Sequence, residues 1–310
     1  MRRAAFAASF RPAETMPLRS GSVDLAYLRT HPGHLAAFLH HQRIRTTPVA
    51  GGSICEAQRL TLDDGSDVFA KTRTGAPDDF FAAEAEGLRW LRVDGGAPVP
   101  EVLAVEADML ALEWVPPGEP SPEAAERFGR ELAETHRAGG PSYGADRDGY
   151  LGVLPLPNTR GRSWPEWFAE YRIRPYLRRS VDNGALTGTD AGRVDAVLDR
   201  IGALAGPGEA PARIHGDLWP GNVLWSVDRV WLVDPAAHGG HRETDLATMR
   251  LWGGVPYLGR VLAGYDEAWP LADGWRQRAA LHQLPILLAH TAMFGPRYRD
   301  QVLDAVRRIG

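Results

Sequence analysis

The sequence lacks the features that mark secreted, membrane-spanning or nucleic-acid-binding proteins. Its single cysteine, Cys55, cannot form an intramolecular disulfide, and no apolar run approaches the roughly 20 residues that a spanning helix needs. The 35 basic residues are balanced by 39 acidic ones without a long block of either sign, so the electrostatic footprint of a nucleic-acid binder is missing. We therefore expect a cytoplasmic protein with a small-molecule partner, and neither a membrane nor a nucleic-acid partner.

The length of the chain suits two adjoining lobes, because 310 residues with 44% hydrophobic content can bury a large core. No repeat with a period of about 20–50 residues is visible, which argues against a solenoid. The apolar stretch near the start ends at Arg11-Pro12 and is too short for a signal peptide. We predict a monomer with a flexible tail at 1–20, a first lobe at 21–115 and a second lobe at 116–310.

Alternating apolar residues indicate that the first lobe is rich in strands. Residues 58–71, QRLTLDDGSDVFAK, form two alternating runs around an Asp-Gly step that favours a hairpin turn, so Lys71 ends a strand. The next segment has apolar residues at helical spacing from Phe81 to Leu91, and Asp78 and Asp79 are candidate caps for it. Glu84 lies inside that predicted helix.

The remaining elements follow from the same periodicities. Strands are predicted at 101–105 and 109–115, and a short hairpin is predicted at 222–225 and 230–233. Helices are predicted at 35–42, 122–138, 164–179, 190–204, 243–252, 275–290 and 297–309. The expected fold class is α+β, with a small antiparallel sheet in the first lobe and a mainly helical second lobe.

The richest motif is IHGDLWPGNVL at 214–224, which is followed by Asp234 at the end of the short hairpin. Phosphoryl transfer needs a base for the acceptor hydroxyl, ligands for Mg²⁺ and a cation at the nucleotide phosphates. Asp217 and Asn222 have the D-x-x-x-x-N spacing of a kinase catalytic loop, in which the aspartate accepts the hydroxyl proton. Asn222 and Asp234 would supply the oxygen ligands that Mg²⁺ prefers.

A second part of a kinase site is predicted in the first lobe. Lys71 at a strand end and Glu84 in the next helix repeat the arrangement in which a lysine holds the α- and β-phosphates of ATP and a carboxylate orients it. Glu86 is an alternative partner for the lysine, but it faces another side of the helix. His215 is interpreted as a brace of the catalytic loop. Each residue alone is more often a solvated side chain, but their order along the chain favours the kinase interpretation.

Two further segments complete the predicted nucleotide site. Gly51, Gly52 and Ser53 precede the first hairpin, and their backbone N–H groups could approach phosphates. Glu113 and Val115 end the strand-rich lobe, where they would form the hinge whose backbone meets adenine. The first lobe is thus expected to bind ATP, and the second lobe to supply the catalytic and substrate groups.

Several segments resemble the fructosamine (ketosamine) kinase family. HGDLWPGN at 215–222 is very similar to its catalytic-loop signature, in which a tryptophan follows HGDL. Residues 234–247, DPAAHGGHRETDLA, and 162–177, RSWPEWFAEYRIRPYL, resemble further family segments, and the likeness runs from about residue 35 to the end. It implies a bilobal protein-kinase-like fold related to aminoglycoside phosphotransferases. It also implies ATP-dependent phosphorylation of the sugar 3-hydroxyl of fructosamine or ribulosamine adducts, in deglycation.

Carried onto this sequence, the resemblance implies a role for each matching residue. Asp217 becomes the base, Asn222 and Asp234 the metal ligands, and Lys71 with Glu84 the phosphate-binding pair. The implied cofactors are ATP and Mg²⁺. The implied acceptor is a small-molecule or protein-linked ketosamine.

Two residues are assigned to the acceptor side. Trp219 lies beside the predicted base and could stack on the apolar face of a ketosugar or its amine. His290 lies in a family-like segment and is a candidate for the acceptor pocket. Asp245 is expected to brace the catalytic loop through hydrogen bonds, and Cys55 to be an inert thiol.

Departures from protein kinases keep two alternatives open. The sequence has no Gly-x-Gly-x-x-Gly, and it reads HGD and DPA where protein kinases have HRD and DFG, which disfavours activity on proteins as a serine or tyrosine kinase. The first alternative is a kinase of another small alcohol, such as an aminoglycoside, choline or homoserine. The second is a pseudokinase scaffold, although the lysine, the base and the metal ligands are all present.

Overall fold

The computed structural model of the protein describes residues 24–34, 44–49 and 54–310. Three sequence predictions fall outside these ranges: the tail at 1–20, the helix at 35–42 and the phosphate contacts of Gly51, Gly52 and Ser53.

A five-stranded antiparallel sheet forms the first part of the described structure. Its strands are, in sheet order, β1 (Arg45–Pro48), β2 (Glu56–Thr61), β3 (Asp67–Thr72), β5 (Met109–Glu113) and β4 (Val102–Val105). The predicted β2–β3 hairpin is confirmed, and Gly65 adopts φ +81° in its turn. One face of the sheet buries Leu60 and Val68 together with Leu28 from helix α1 (Leu25–Thr30).

Helix α2 (Phe80–Leu91) follows strand β3, as the periodicity predicted. Its buried residues include Phe81, Ala85, Leu88 and Leu91. The predicted cap is wrong in its chemistry: Asp79 occupies the N-cap position, but its side chain makes no capping hydrogen bond. Its carboxylate instead accepts hydrogen bonds from Arg147 (2.7 Å) and Tyr150 (2.6 Å), since both reach it across the fold.

Beyond the sheet the chain is mainly helical, which confirms the expected α+β class. The helices are α3 (Pro122–Arg137), α4 (Trp164–Phe168), α5 (Arg174–Asp182), α6 (Gly188–Leu198), α7 (Ile201–Leu204), α8 (Glu243–Thr248), α9 (Leu258–Ala268), α10 (Trp275–Phe294) and α11 (Arg299–Ile309). Paired short strands are β6 (Gly149–Leu151) with β7 (Leu154–Leu156), β8 (Ala212–Ile214) with β11 (His238–Gly240), and β9 (Val223–Ser226) with β10 (Arg229–Leu232).

The helical region differs from the sequence prediction in several places. The helix predicted at 190–204 is divided into α6 and α7, and the helix predicted at 243–252 ends at Thr248. The single helix predicted at 164–179 is divided by a π-helical turn at Ala169–Ile173. Helix α9 was not predicted, and it packs against α3 where two glycines remove side-chain bulk. A Cβ atom on Gly129 would lie 2.0 Å from the carbonyl oxygen of Val261, and one on Gly264 would lie 2.2 Å from that of Glu126.

A shared hydrophobic core joins the sheet to the helical region. It contains Phe81 and Leu110 from the sheet side, and Leu218, Val223 and Tyr265 from the helical side. Leu218 directly follows Asp217 and Val223 directly follows Asn222, so packed side chains anchor the predicted catalytic loop beside both of these residues. In the described ranges, no helix combines the length and apolar character that crossing a membrane requires.

Candidate active site

The predicted catalytic loop leaves strand β8 through a glycine that no other residue could replace without strain. Gly216 has φ +81°, and a Cβ atom on it would lie 2.3 Å from the carbonyl oxygen of Ala236. The side-chain amide of Asn222 donates to the backbone oxygen of Asp217 (2.8 Å) and to its carboxylate (3.1 Å). The predicted spacing thus brings the two side chains together, with the Asp217 carboxylate held from one side.

The other carboxylate oxygen of Asp217 is buried and has no hydrogen-bond partner among the described residues. Burial and the neighbouring Asp234 carboxylate raise the pKa of Asp217 well above its usual range, against the lowering effect of Asn222. A general base is most effective when its pKa lies near the working pH. The arrangement therefore suits Asp217 to accept a proton from a group bound in the cleft.

Lys71 lies between two carboxylates that come from different parts of the chain. Its Nζ is 2.6 Å from Glu84 Oε1 on α2 and 2.7 Å from Asp234 Oδ1 after β10. Burial lowers the pKa of Lys71, but the Asp234 and Glu84 carboxylates outweigh it and raise the pKa overall. The lysine is therefore a permanent cation, and the predicted Lys71–Glu84 contact is present. Glu86 instead lies 3.2 Å from Arg147.

Lys71 is also the only lysine in the sequence, where the other 34 of the 35 basic residues are arginines. An ammonium group is a compact point charge, whereas a guanidinium is a wide planar fork. The buried position between two carboxylates suits the compact group. Asp234 meets this lysine from a left-handed backbone conformation, with φ +55°, which is uncommon outside glycine and typical of functional sites.

Asp245 braces the catalytic loop, as the sequence predicted. Its carboxylate accepts from the backbone N–H groups of His215 (2.7 Å) and Gly216 (2.9 Å). His136 Nε2 lies 3.1 Å from the same carboxylate, and its Nδ1 pairs with the Tyr265 hydroxyl at 2.9 Å. Although burial opposes it, the hydrogen bond and charge of His136 keep the pKa of Asp245 low. His136 was missed, because its partner lies 109 residues away in the chain.

The predicted role of His215 also agrees with its contacts. Its Nε2 lies 2.9 Å from the backbone oxygen of Val233, next to Asp234. Burial lowers the pKa of His215, so the ring is neutral near pH 7. The imidazole thus connects the Asp217 loop to the Asp234 segment, which agrees with a bracing role and not with a role in proton transfer.

A buried arginine supports the same segment from the other side. The π-helical turn directs Arg172 inward, where its Nε donates to His238 Nε2 (3.2 Å) and its Nη1 to the backbone oxygen of Pro157 (2.6 Å). His238 Nδ1 in turn contacts the oxygen of Ala236 at 2.7 Å. Burial lowers the pKa of Arg172 to about 9. Sequence reasoning missed this role, since a helical pattern does not reveal a π turn.

Aromatic rings surround Trp219, one of the two residues that the sequence assigned to the acceptor side. The indole lies edge-on to Trp252, with centroids 5.4 Å apart, and 6.4 Å from the ring of His290. Gly221 allows the indole this position, because a Cβ atom there would lie 2.1 Å from the Trp219 ring. Trp252 was missed, and it has φ +51°. Its Nε1 donates to Gln301 at 2.8 Å, which fixes the ring.

One cavity of about 960 Å³ connects these parts. Its lining includes every predicted site residue within the described ranges: Lys71, Glu84, Glu113, Val115, Asp217, Trp219, Asn222, Asp234 and His290. Cys55 also lines this cavity, and burial raises the pKa of its thiol, which suits the expected inert role.

The donors around Asp217 suit a magnesium ion. Asp234 and Asn222 offer carboxylate and amide oxygens, and Asp217, whose other carboxylate oxygen accepts a hydrogen bond from Asn222, has a buried oxygen without a partner among the described residues. Hard oxygen ligands of this kind are those that Mg²⁺ selects. The residues present therefore fit the ion that the resemblance implies.

Comparison with known proteins shows which family the chain resembles. The family model described as "Fructosamine kinase" matches residues 33–309. The chain is 50% identical to a Thermobifida fusca protein whose crystal structure is described as that of a "putative fructosamine-3-kinase". The TM-score is 0.82, over 86% of this chain and 93% of that one. It is 36% identical to a "Probable ketoamine kinase" of Thermus thermophilus, over 84% of this chain and 92% of the relative.

A more distant structural likeness concerns the fold alone. An aminoglycoside phosphotransferase solved as a ternary complex with AMP-PNP and hygromycin B is 15% identical, with a TM-score of 0.61 over 89% of this chain and 96% of that one. The two-part architecture is therefore the protein-kinase-like fold of small-molecule phosphotransferases. This chain is a phosphotransferase with an alcohol acceptor, and it belongs to the fructosamine kinase family.

Proposed function

We propose that the protein transfers the γ-phosphoryl group of ATP to the sugar 3-hydroxyl of ketosamines, as a step in deglycation. The observation that carries the proposal is the shared cleft. It is lined by Asp217, which has a buried carboxylate oxygen without a partner among the described residues, by Lys71 with its partner Glu84, and by Trp219. A hydroxyl seated against the indole would meet a proton acceptor on one side and the nucleotide phosphates on the other.

Each polar residue of the cleft has a proposed task. Asp217 accepts the proton of the acceptor hydroxyl, and Asn222 holds that carboxylate in place. Lys71, oriented by Glu84, neutralises the α- and β-phosphates. Asn222 and Asp234 would hold Mg²⁺, which when bound supplies positive charge to the transferred phosphoryl group.

The nucleotide end of the cleft supports ATP as the donor. Glu113 and Val115 line it where strand β5 ends, at the position proposed for the adenine-binding hinge. The remote phosphotransferase was solved with AMP-PNP, an ATP analogue. Gly51, Gly52 and Ser53 remain proposed as phosphate contacts.

The acceptor end supports a sugar adduct. Trp219 and His290 present ring faces and edges to the cleft, and such rings stack on the apolar face of sugars. Relatives named as fructosamine or ketoamine kinases match this chain over most of its length. Fructosamine and ribulosamine adducts, free or protein-linked, are therefore the proposed substrates.

The test is Mg²⁺-dependent release of ADP from ATP over a panel of acceptors. The panel contains ribuloselysine, fructoselysine, kanamycin, choline and homoserine. We expect turnover with the two ketosamines only, and none when EDTA replaces Mg²⁺. Turnover confined to kanamycin, choline or homoserine would overturn the substrate while keeping the kinase; absence of turnover on all five would support a scaffold instead.

A further inference from the structure

Three basic side chains line the cleft within the described ranges: Lys71, Arg147 and Arg297. Lys71 contacts Glu84 and Asp234, and Arg147 contacts Asp79 at 2.7 Å and Glu86 at 3.2 Å. Arg297 differs, because no carboxylate of the described residues lies within salt-bridge distance of it. This end of the cleft therefore has a guanidinium whose charge no carboxylate of the described residues matches.

Two aromatic rings hold Arg297 in place. Its guanidinium carbon lies 5.1 Å from the ring centre of Phe294 and 5.0 Å from that of Tyr298, and Nη2 lies 3.4 Å from the Tyr298 hydroxyl. Cation–π contact uses the faces of the guanidinium and leaves most in-plane N–H groups free. Such a fork is the preferred protein partner of a planar carboxylate.

The position of Arg297 relates it to the acceptor. The ring centroids of Tyr298 and His290 are 5.2 Å apart, and those of His290 and Trp219 are 6.4 Å apart. Trp219 is the residue proposed to stack on the sugar. Burial, followed by the Arg297 charge, lowers the pKa of His290 to about 4, so this ring is neutral near pH 7. Arg297 therefore lines the same cavity as Trp219 and is connected to it through the Tyr298 and His290 rings, within reach of a substituent on a sugar bound there.

We propose that Arg297 binds a carboxylate of the acceptor, so that the preferred substrates are ketosamines formed on the amine of a free amino acid. This inference rests on the proposed function. One guanidinium matches one carboxylate in charge and shape, whereas phosphate groups usually meet several donors. A protein-linked adduct lacks the free α-carboxylate and would leave Arg297 without its partner.

The experiment compares acceptors that differ only in this charge. Ribulose adducts of glycine, glycinamide and glycylglycine are assayed by ADP release with the wild-type protein and with R297M, R297K and R276M. R276M is the matched control, because Arg276 is exposed, stacks on Trp275 at 4.6 Å and does not line the cleft. Thermal unfolding of each variant verifies that it is folded.

The expected readout is the ratio of kcat/KM for the glycine adduct to that for the glycinamide adduct. We expect at least about tenfold for the wild type and R276M, since charge-assisted bidentate bonds are strong. The ratio should fall to about one in R297M and lie between these values in R297K, which keeps the charge without the fork.

Three results would overturn the inference alone. The first is equal kcat/KM of the wild type for the glycine and glycinamide adducts, and the second is a preference for the glycine adduct that survives in R297M. The third is a higher kcat/KM of the wild type for the glycylglycine adduct than for the glycine adduct. The last result would assign the carboxylate to a peptide terminus. Absence of turnover with every ketosamine, charged or neutral, would refute the proposed function on which the inference rests.

Discussion

At the scale of single residues, the site depends on charges that are buried together. Asp217 has one held and one unpartnered carboxylate oxygen, and Lys71 separates Glu84 from Asp234. Such groups are costly to bury unless their partners are present. Removing one of them should therefore have effects that depend on which partner is left.

The first prediction concerns the proposed base. D217N keeps the shape of the side chain but removes the proton acceptor, so kcat should fall by about 10²–10⁴-fold, the usual contribution of general-base catalysis. Nucleotide affinity should change little, because the Lys71–Glu84 pair remains. Steady-state kinetics and calorimetric titration with AMP-PNP measure the two effects. Retention of near wild-type kcat would remove Asp217 from its proposed role.

The second prediction concerns Glu84 and pH. Burial, together with the Asp234 charge, raises the pKa of Glu84 to about 7 in the folded protein, against 4.5 ordinarily. Between these values the folded state binds more protons than the unfolded state, so this group's contribution to stability decreases as pH rises and is lost above pH 7. In E84Q the group cannot titrate.

Denaturant unfolding from pH 5 to 8 measures that contribution. The free energy of unfolding of the wild type minus that of E84Q should decrease between pH 5 and 7 and then level off. A difference that increases with pH over this window would show that the Lys71 contact, and not burial, dominates the titration of Glu84.

At the scale of helices and strands, close backbone approach decides what sequence patterns could and could not predict. The β2–β3 hairpin was predictable, because its Asp-Gly turn and alternating residues act locally. Helix α9 was not, since its packing against α3 depends on Gly129 and Gly264, which a single-helix pattern treats as breakers. The π turn at Ala169–Ile173 was not predictable either, because its inward residue Arg172 has its hydrogen-bond partners in distant segments.

The third prediction uses two helical glycines with different surroundings. G129A places a Cβ atom 2.0 Å from a backbone oxygen of α9, so it should destabilise the protein by about 1–3 kcal/mol. G192A is the matched control on α6, where nothing lies within 4 Å, and it should stabilise by up to about 1 kcal/mol. Urea unfolding compares them. Equal effects would mean that α3 and α9 do not approach as described.

At the scale of the whole molecule, the sequence predicted the residues that line the cleft and two of their braces, Asp245 and His215, but not the more remote supports. Lys71, Glu84, Asp217 and Asn222 could be predicted to share one cleft because kinase chemistry fixes their spacing and order. His136 and Arg172 could not be predicted, because their value comes from long-range contacts between buried polar groups.

A property of the whole sequence yields the fourth prediction. Glycation requires a neutral, accessible amine, and the only lysine is 6% exposed and kept protonated by two carboxylates. Incubation of the folded protein with ribose, without ATP, should therefore leave Lys71 unmodified, whereas denaturation in urea should allow its modification. Peptide mass mapping locates the adducts, and one at the chain's amino terminus counts separately. A ribose adduct on Lys71 of the folded protein would contradict the described burial.

The most direct test of the central claim is the position of the phosphate in the product. Ribuloselysine and ATP are incubated with the wild type and, separately, with D217N, and the product is analysed by phosphorus–proton correlation NMR. We predict a phosphorus signal coupled to the proton on C3 of the sugar with the wild type, and no product on the same time scale with D217N. Phosphate on another oxygen, or equal product with D217N, would contradict the account.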